Sequence, residues 1–252
     1  MILQKTIPYA PFGGPRLPGV SPLDPGEWLL VDDAYGAQMA LRDDLLARAR
    51  GSVLALDPAA LPAAQELFDT VLAHLARRPD FDLGAREIRR PDGQTVRLDR
   101  DDPLGTLGQL VQEDLCLLQK PPGAAEHVLT GAVLCFPASW TLAQKFMRPL
   151  IRIHRPVAEY DPDLARRVQR LFDGVRPGRP LWRRNALWYT DPSLHQPRPE
   201  GAARPDPPPG APRYLRSERQ CLWRLPDSGA VVFSIHTYVL SAANAAQQGV
   251  AG

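Results

Sequence analysis

Five histidines, a pair of adjacent carboxylates and a group of arginines are the side chains in this chain best suited to chemistry. The histidines are His74, His127, His154, His195 and His236. None stands in an H-x-x-x-H or H-E-x-x-H pair, and no cysteine lies close enough to complete a zinc pattern. His154 is the best ligand candidate, because it leaves a largely apolar, helix-like segment just before the proline-bounded turn Pro156-Val157. His236 comes second. It sits inside a strand pattern with Ser234 and Tyr238 on the same side, and fits a hydrogen-bonded core residue equally well. His74, at the end of an amphipathic helix, and His195, in a loop, are expected to be solvated. Glu113 and Asp114 fall among apolar residues, where one is expected to face solvent and a buried one would need a cationic partner. Strand alternation sends Arg216 and Glu218 to one face and Ser217 and Arg219 to the other. These charges fit cross-strand ion pairs or, equally, an anion clamp for cofactor carboxylates. No Ser-His-Asp arrangement or nucleophile elbow is visible, so hydrolytic chemistry has little support.

The elements that must position these residues follow from periodicity. Apolar residues at helical spacing predict amphipathic helices over 33–50 and 57–77, the second opened by the N-cap pair Asp57-Pro58. A hairpin is expected over 86–99 around Pro91-Asp92-Gly93. A helix is expected from Leu104 to Gln119, with Glu113 and Asp114 in its middle. The run Val128–Phe136 reads as a buried strand ended by Pro137, and Ser139 is placed to cap a helix running to Ile153. A short helix over 162–174 precedes three strands, 185–190, 214–225 and 230–240, the last two joined by the Pro226–Gly229 turn. The fold class is α+β, with helices beside an antiparallel sheet. Residues 1–32 read as an irregular proline-rich arm, 33–240 as one domain and 241–252 as a fraying tail.

Composition narrows the classes. The chain has 252 residues with 30 Lys and Arg against 28 Asp and Glu, and no basic block, which argues against a nucleic-acid partner. The 28 prolines concentrate in 8–25 and 197–212. Cys116, Cys135 and Cys221 are scattered, which suits reduced thiols and not an iron–sulfur cluster. No glycine-rich nucleotide fingerprint follows a strand, and neither a signal pattern nor a long apolar run is present. A cytoplasmic protein without a membrane partner is expected.

Four stretches, in this order, carry a resemblance. They are LVQEDLCLL from Leu110 to Leu118, VLCFPASW from Val133 to Trp140 with Lys145 after it, IHRPV with Tyr160 beyond, and RSERQCLWRLPDSGAVVFSIHTY from Arg216 to Tyr238. Across roughly residues 8 to 240 the chain resembles the α subunit of haem-dependent oxidative N-demethylase, also called dimethylamine monooxygenase. The resemblance implies a PAS-like antiparallel sheet with flanking helices and an N-terminal helical extension, binding one haem b. It implies that O2 and a small secondary amine such as dimethylamine meet beside the haem, with formaldehyde released. NADPH-derived electrons would enter through reductase subunits carrying FMN and a 2Fe–2S centre. By position it makes His154 the axial iron ligand, on a helix before the last three strands. It makes Arg184, Arg216, Arg219 and His236 cofactor contacts, and Glu113, Asp114, Glu218 and Tyr238 candidates for the catalytic side. Family members are expected to carry a further helical segment after the final strand. A non-catalytic haem-binding sensor on the same fold is the alternative.

Overall fold

The computed structural model describes residues 1–13, 19–154, 162–203, 208 and 210–250. The expected turn at Pro156-Val157 and Tyr160 lie outside the described residues. Strand β1 (Ser21–Pro22) precedes helices α1 (Tyr35–Arg48) and α2 (Arg50–Val53), strand β2 (Leu54–Leu56) and helix α3 (Leu61–Leu75). A small sheet of β3 (Asp82–Leu83), β4 (Glu87–Arg89) and β5 (Thr95–Arg97) leads to α4 (Pro103–Leu110). Strands β6 (Asp114–Gln119) and β7 (Val128–Val133) come next, then helices α5 (Leu142–Lys145), α6 (Leu150–His154) and α7 (Pro162–Gly174). The chain closes with β8 (Leu181–Tyr189), β9 (Tyr214–Arg224), β10 (Val231–Ser241) and α8 (Ala242–Gln247). The fold is α+β. Seven strands pair antiparallel in the order β1-β8-β9-β10-β6-β7-β2. Among the described residues no helix is long and apolar enough to cross a membrane.

Two apolar clusters sandwich the sheet. On one face Leu115, Leu117, Cys221 and Val232 pack with α1, α3 and α4. On the other, Cys116, Leu118, Leu222 and Ile235 pack with Leu142 and Leu150 of α5 and α6 and Phe172 of α7. The single long helix expected over 104–119 is therefore corrected. It ends at Leu110, and Asp114–Gln119 is a strand. Because β6 is covered on both faces, it shows an unbroken apolar run, which periodicity cannot tell from a buried helix. The helix expected from Ser139 to Ile153 is likewise two short ones. Pro149 disfavours a helical Arg148, and Ser139 and Met147 take left-handed backbone at φ 67° and 57°. Ser139 does not cap; its N–H donates to the Gln196 carbonyl. The expected fraying after 241 gives way to α8, whose first turn is capped by the Ser241 hydroxyl accepting from the Asn244 N–H.

The junction of α1, α4, β6 and β7 is closed by one buried ion pair. Arg42 reaches Asp114 at 2.7 Å and also donates to the carbonyls of Gly108, Gln112 and Glu113. Asp114 accepts in turn from the N–H groups of Cys135 and Phe136. Every polar group of the pair is matched, which is what makes a fully buried pair tolerable. Asp114→Ala strands the guanidinium and two amides. Urea unfolding should lose about 3–5 kcal/mol with little change in slope; a loss under about 1 kcal/mol would contradict this account.

Candidate functional site

Register across β8, β9 and β10 sorts the candidate residues onto two faces. Arg184, Arg219 and His236 are aligned on one side, with Ala186, Ser217 and Tyr238 in the next row. Arg183 aligns with Gln220 and Ile235, Asn185 with Glu218 and Thr237, and Leu187 with Arg216 and Val239, on the opposite side; of these, Ile235 packs in the cluster with α5–α7 and Leu187 is exposed.

The first group is tied to the N-terminal arm. His236 is buried, with Nδ1 2.9 Å from Glu113 Oε1 and Nε2 3.1 Å from Asp32 Oδ2. Each carboxylate oxygen can only accept, so both ring nitrogens carry protons and the ring is an imidazolium. Burial opposes that charge, but the hydrogen bonds and fields of Asp32 and Glu113 outweigh it and lift the His236 pKa to about 9. For Asp32, burial is likewise outweighed by His236, Gln112 and Gln4, and its pKa falls to about 2. Glu113 also accepts from the Leu30 N–H. Arg219 donates to the carbonyls of Trp28 and Glu27. Arg184 lies over the rings of Tyr9 and Trp182. Tyr238 is buried edge-on to Tyr9, and burial pushes its phenol far above the ordinary range. His74, expected to be solvated, is buried against Trp28. His195 is half-buried and donates from Nδ1 to the Cys135 carbonyl. Glu113 and Asp114 are both buried, so neither faces solvent. Their partners, His236 and Arg42, lie too far along the chain for spacing to reveal.

The second face carries Arg216 and Glu218 and two residues that sequence reasoning missed, Arg183 and Thr237; of these, Arg183 lies near enough to His154 for its charge to act on the imidazole. His154 ends α6, and its Nδ1–H donates to the Leu150 carbonyl at 2.9 Å, so the lone pair sits on Nε2. Burial first, then the nearby charges of Lys145 and Arg183, pull its pKa down and keep the imidazole neutral. Arg183 donates to Gln220, and burial lowers its guanidinium pKa with only partial relief from Glu218. Arg216 uses its Nη atoms on the carbonyls of Phe136, Ser193 and Leu194. Three buried polar atoms on this side, Arg183 Nε, Arg216 Nε and Thr237 Oγ1, have no hydrogen-bond partner. The other two such atoms among the described residues, Glu113 Oε2 and Arg184 Nε, belong to the arm side. The register around the Pro226–Gly229 turn was the one sequence signal that could have placed Thr237 opposite Glu218.

Among the described residues no three His, Cys, Asp or Glu side chains converge as a metal site. A neutral histidine in the field of Arg183, whose buried Nε has no partner, suits a group that brings its own metal ligands and its own anions. The donor set therefore fits a haem, whose iron needs one axial imidazole and whose propionates need cations. Residues 19–252 match the family model described as haem-dependent oxidative N-demethylase, alpha subunit-like. The chain belongs to that family. Haem dependence, an oxidative reaction and a place in a multi-subunit enzyme are what membership implies. A separate cleft of about 400 Å³ between Trp28, His74, Trp223 and Pro226 lies on the arm side and shares no residue with the His154 face of this family member.

The arm-side imidazolium makes stability pH-dependent. Its folded pKa lies above the ordinary 6.5, so its contribution is complete below that value and fades as pH rises through about 9. Denaturant unfolding should lose a few kcal/mol between pH 7 and pH 10, and His236→Gln should flatten that limb. An unchanged alkaline limb in His236→Gln would remove His236 as its source.

Proposed function

We propose that the chain holds one haem b between the β8–β10 face and α5–α7, with His154 Nε2 as axial ligand. Its reaction is the O2-dependent N-demethylation of a small secondary amine, dimethylamine-like, releasing formaldehyde. Electrons come from NADPH through partner reductase subunits carrying FMN and a 2Fe–2S centre. The observation that carries this reading is a half-buried neutral imidazole, oriented by the Leu150 carbonyl, in the field of Arg183, which like Arg216 keeps an unpartnered buried Nε. A PAS-like arrangement is supported by two strands, a helical crossover that carries His154 at the end of α6, and three antiparallel strands that return beside the first. The three free, buried cysteines suit a reducing cytoplasm.

Bound haem would supply the O2-activating and redox chemistry. The protein's part begins with His154, which the Leu150 carbonyl orients by fixing the tautomer. Arg183 and Arg216 would supply the cations for the propionates. Phe146, Leu150, Ile153 and Ile235 form an apolar wall that keeps water from the reacting centre. Arg184, Arg219 and His236 are read as fasteners of the arm, and Glu113, Asp114 and Tyr238 as structural. Reconstitution with haem should give a Soret band, and His154→Ala should shift or abolish it. Absence of that band in the wild-type chain sinks the haem reading; a normal spectrum in His154→Ala sinks only the ligand. A haem spectrum without amine-dependent O2 uptake, with a reductase supplied, favours the sensor alternative.

A further inference from the structure

The arm-side cleft of about 400 Å³ takes no part in the haem reading, yet it has the size of a small-molecule site. It opens between the arm at Trp28, the last turns of α3, the Pro177–Gly178 turn before β8 and the end of β9 at Trp223. Trp28 and Trp223 stack with ring centroids 4.4 Å apart and planes 17° from parallel, so the cleft has an aromatic wall. Trp28 is fully buried and donates from Nε1 to the Ser234 hydroxyl, which fixes that wall to β10. Trp223 is only half-buried, which leaves indole surface for a ligand ring.

His74 lines the cleft edge-on to Trp28. It is 9% exposed, and among the described residues its ring makes no hydrogen bond. Burial first, then the charge of Arg78, lower its pKa against the opposing field of Glu113, so the ring is neutral and offers one N–H. A buried polar group without a partner is costly, and a ligand that accepts from it would remove that cost. Arg77, three residues on, is exposed and also lines the cleft, and its guanidinium has no carboxylate or hydrogen-bond partner among the described residues. Arg224 is bonded to the carbonyls of Phe172, Val175 and Gly229, which leaves its charge uncancelled by any carboxylate. No acidic side chain is among the described residues that line the cleft.

We infer that this cleft is a second ligand site, for an aromatic monocarboxylate whose ring lies against the Trp28–Trp223 wall while its carboxylate pairs with Arg77 and accepts from His74. The single free guanidinium fork matches one carboxylate, which it can bind bidentately. A bound acid would join the N-terminal arm, α3 and β9, which supply Trp28, His74 and Trp223. The site does not depend on the haem reading.

The test is calorimetric titration of the full chain with naphthoate, with naphthamide as the uncharged control and cyclohexanecarboxylate as the non-aromatic one. The wild type should bind naphthoate saturably, at least about tenfold more tightly than either control. Arg77→Gln should bring naphthoate down to the level of naphthamide without moving Tm, because Arg77 is exposed. Ala73 is an exposed position on the cleft wall, and Ala73→Trp should abolish binding by filling the space. His74→Phe, which keeps a ring against Trp28 and removes the N–H, should weaken naphthoate several-fold. The site is overturned if the wild type shows no saturable binding, if the three probes bind alike, or if Arg77→Gln keeps the wild-type affinity. Binding that survives Ala73→Trp places the acid elsewhere, the haem face included, and overturns it too. Unchanged affinity in His74→Phe overturns the part given to His74.

Discussion

The two-residue alternation of β8, β9 and β10, locked by eleven aligned pairs between β9 and β10, is the constraint on which the rest depends. Arg216, Glu218 and Arg219 are neighbours in sequence, yet the pleat sends the first two to one face and the third to the N-terminal arm. A shift of one residue in that register would exchange every charge between faces. The tight turn Pro226–Gly229 and the apolar pairs at the hairpin's turn end hold it in place.

Given that sorting, the cost of burying charge explains how the two faces differ. On the arm side most charged groups meet an opposite charge or backbone carbonyls, while Arg184 Nε and Glu113 Oε2 have no partner. His236 lies between Asp32 and Glu113, and Arg219 is used up on Glu27 and Trp28. That face is a fastener that turns a proline-rich segment into structure. On the other face Arg183 Nε, Arg216 Nε and the Thr237 hydroxyl are buried and unmatched, and each such group in a native structure calls for an explanation.

The short helices serve the same end. Pro149 cuts the connection after β7 so that α6 starts at Leu150 and ends at His154, with the imidazole turned back onto its own helix. Residues 191–203 cross this end of the sheet, where His195 and Gln196 bond to the segment after β7 and Glu200 clamps Lys145 and Arg152. Residues 195–200 are thereby fixed to the segment that carries Lys145 and Arg152.

Much of the fold was legible in the chain. Period-2 and helical patterns gave the antiparallel strands at the end, α1, α3 and the choice of α+β, because one-sided burial writes itself into spacing. The family was legible too, through motifs that keep their order. The length of α4 was not, because β6 is buried on both faces and loses its alternation. His154 could be singled out because it follows a helix, but its partners could not. Arg183 and Arg184 are adjacent and chemically identical, and only their places on β8 set one beside His154 and the other over Tyr9. Glu113 and Glu218 are both carboxylates, and only tertiary structure gives one an imidazolium and sets the other among Asn185, Gln220 and Arg216. Compensation of buried charge is a matter of distance in space, and distances between residues a hundred or more positions apart are set by packing, not by spacing along the chain.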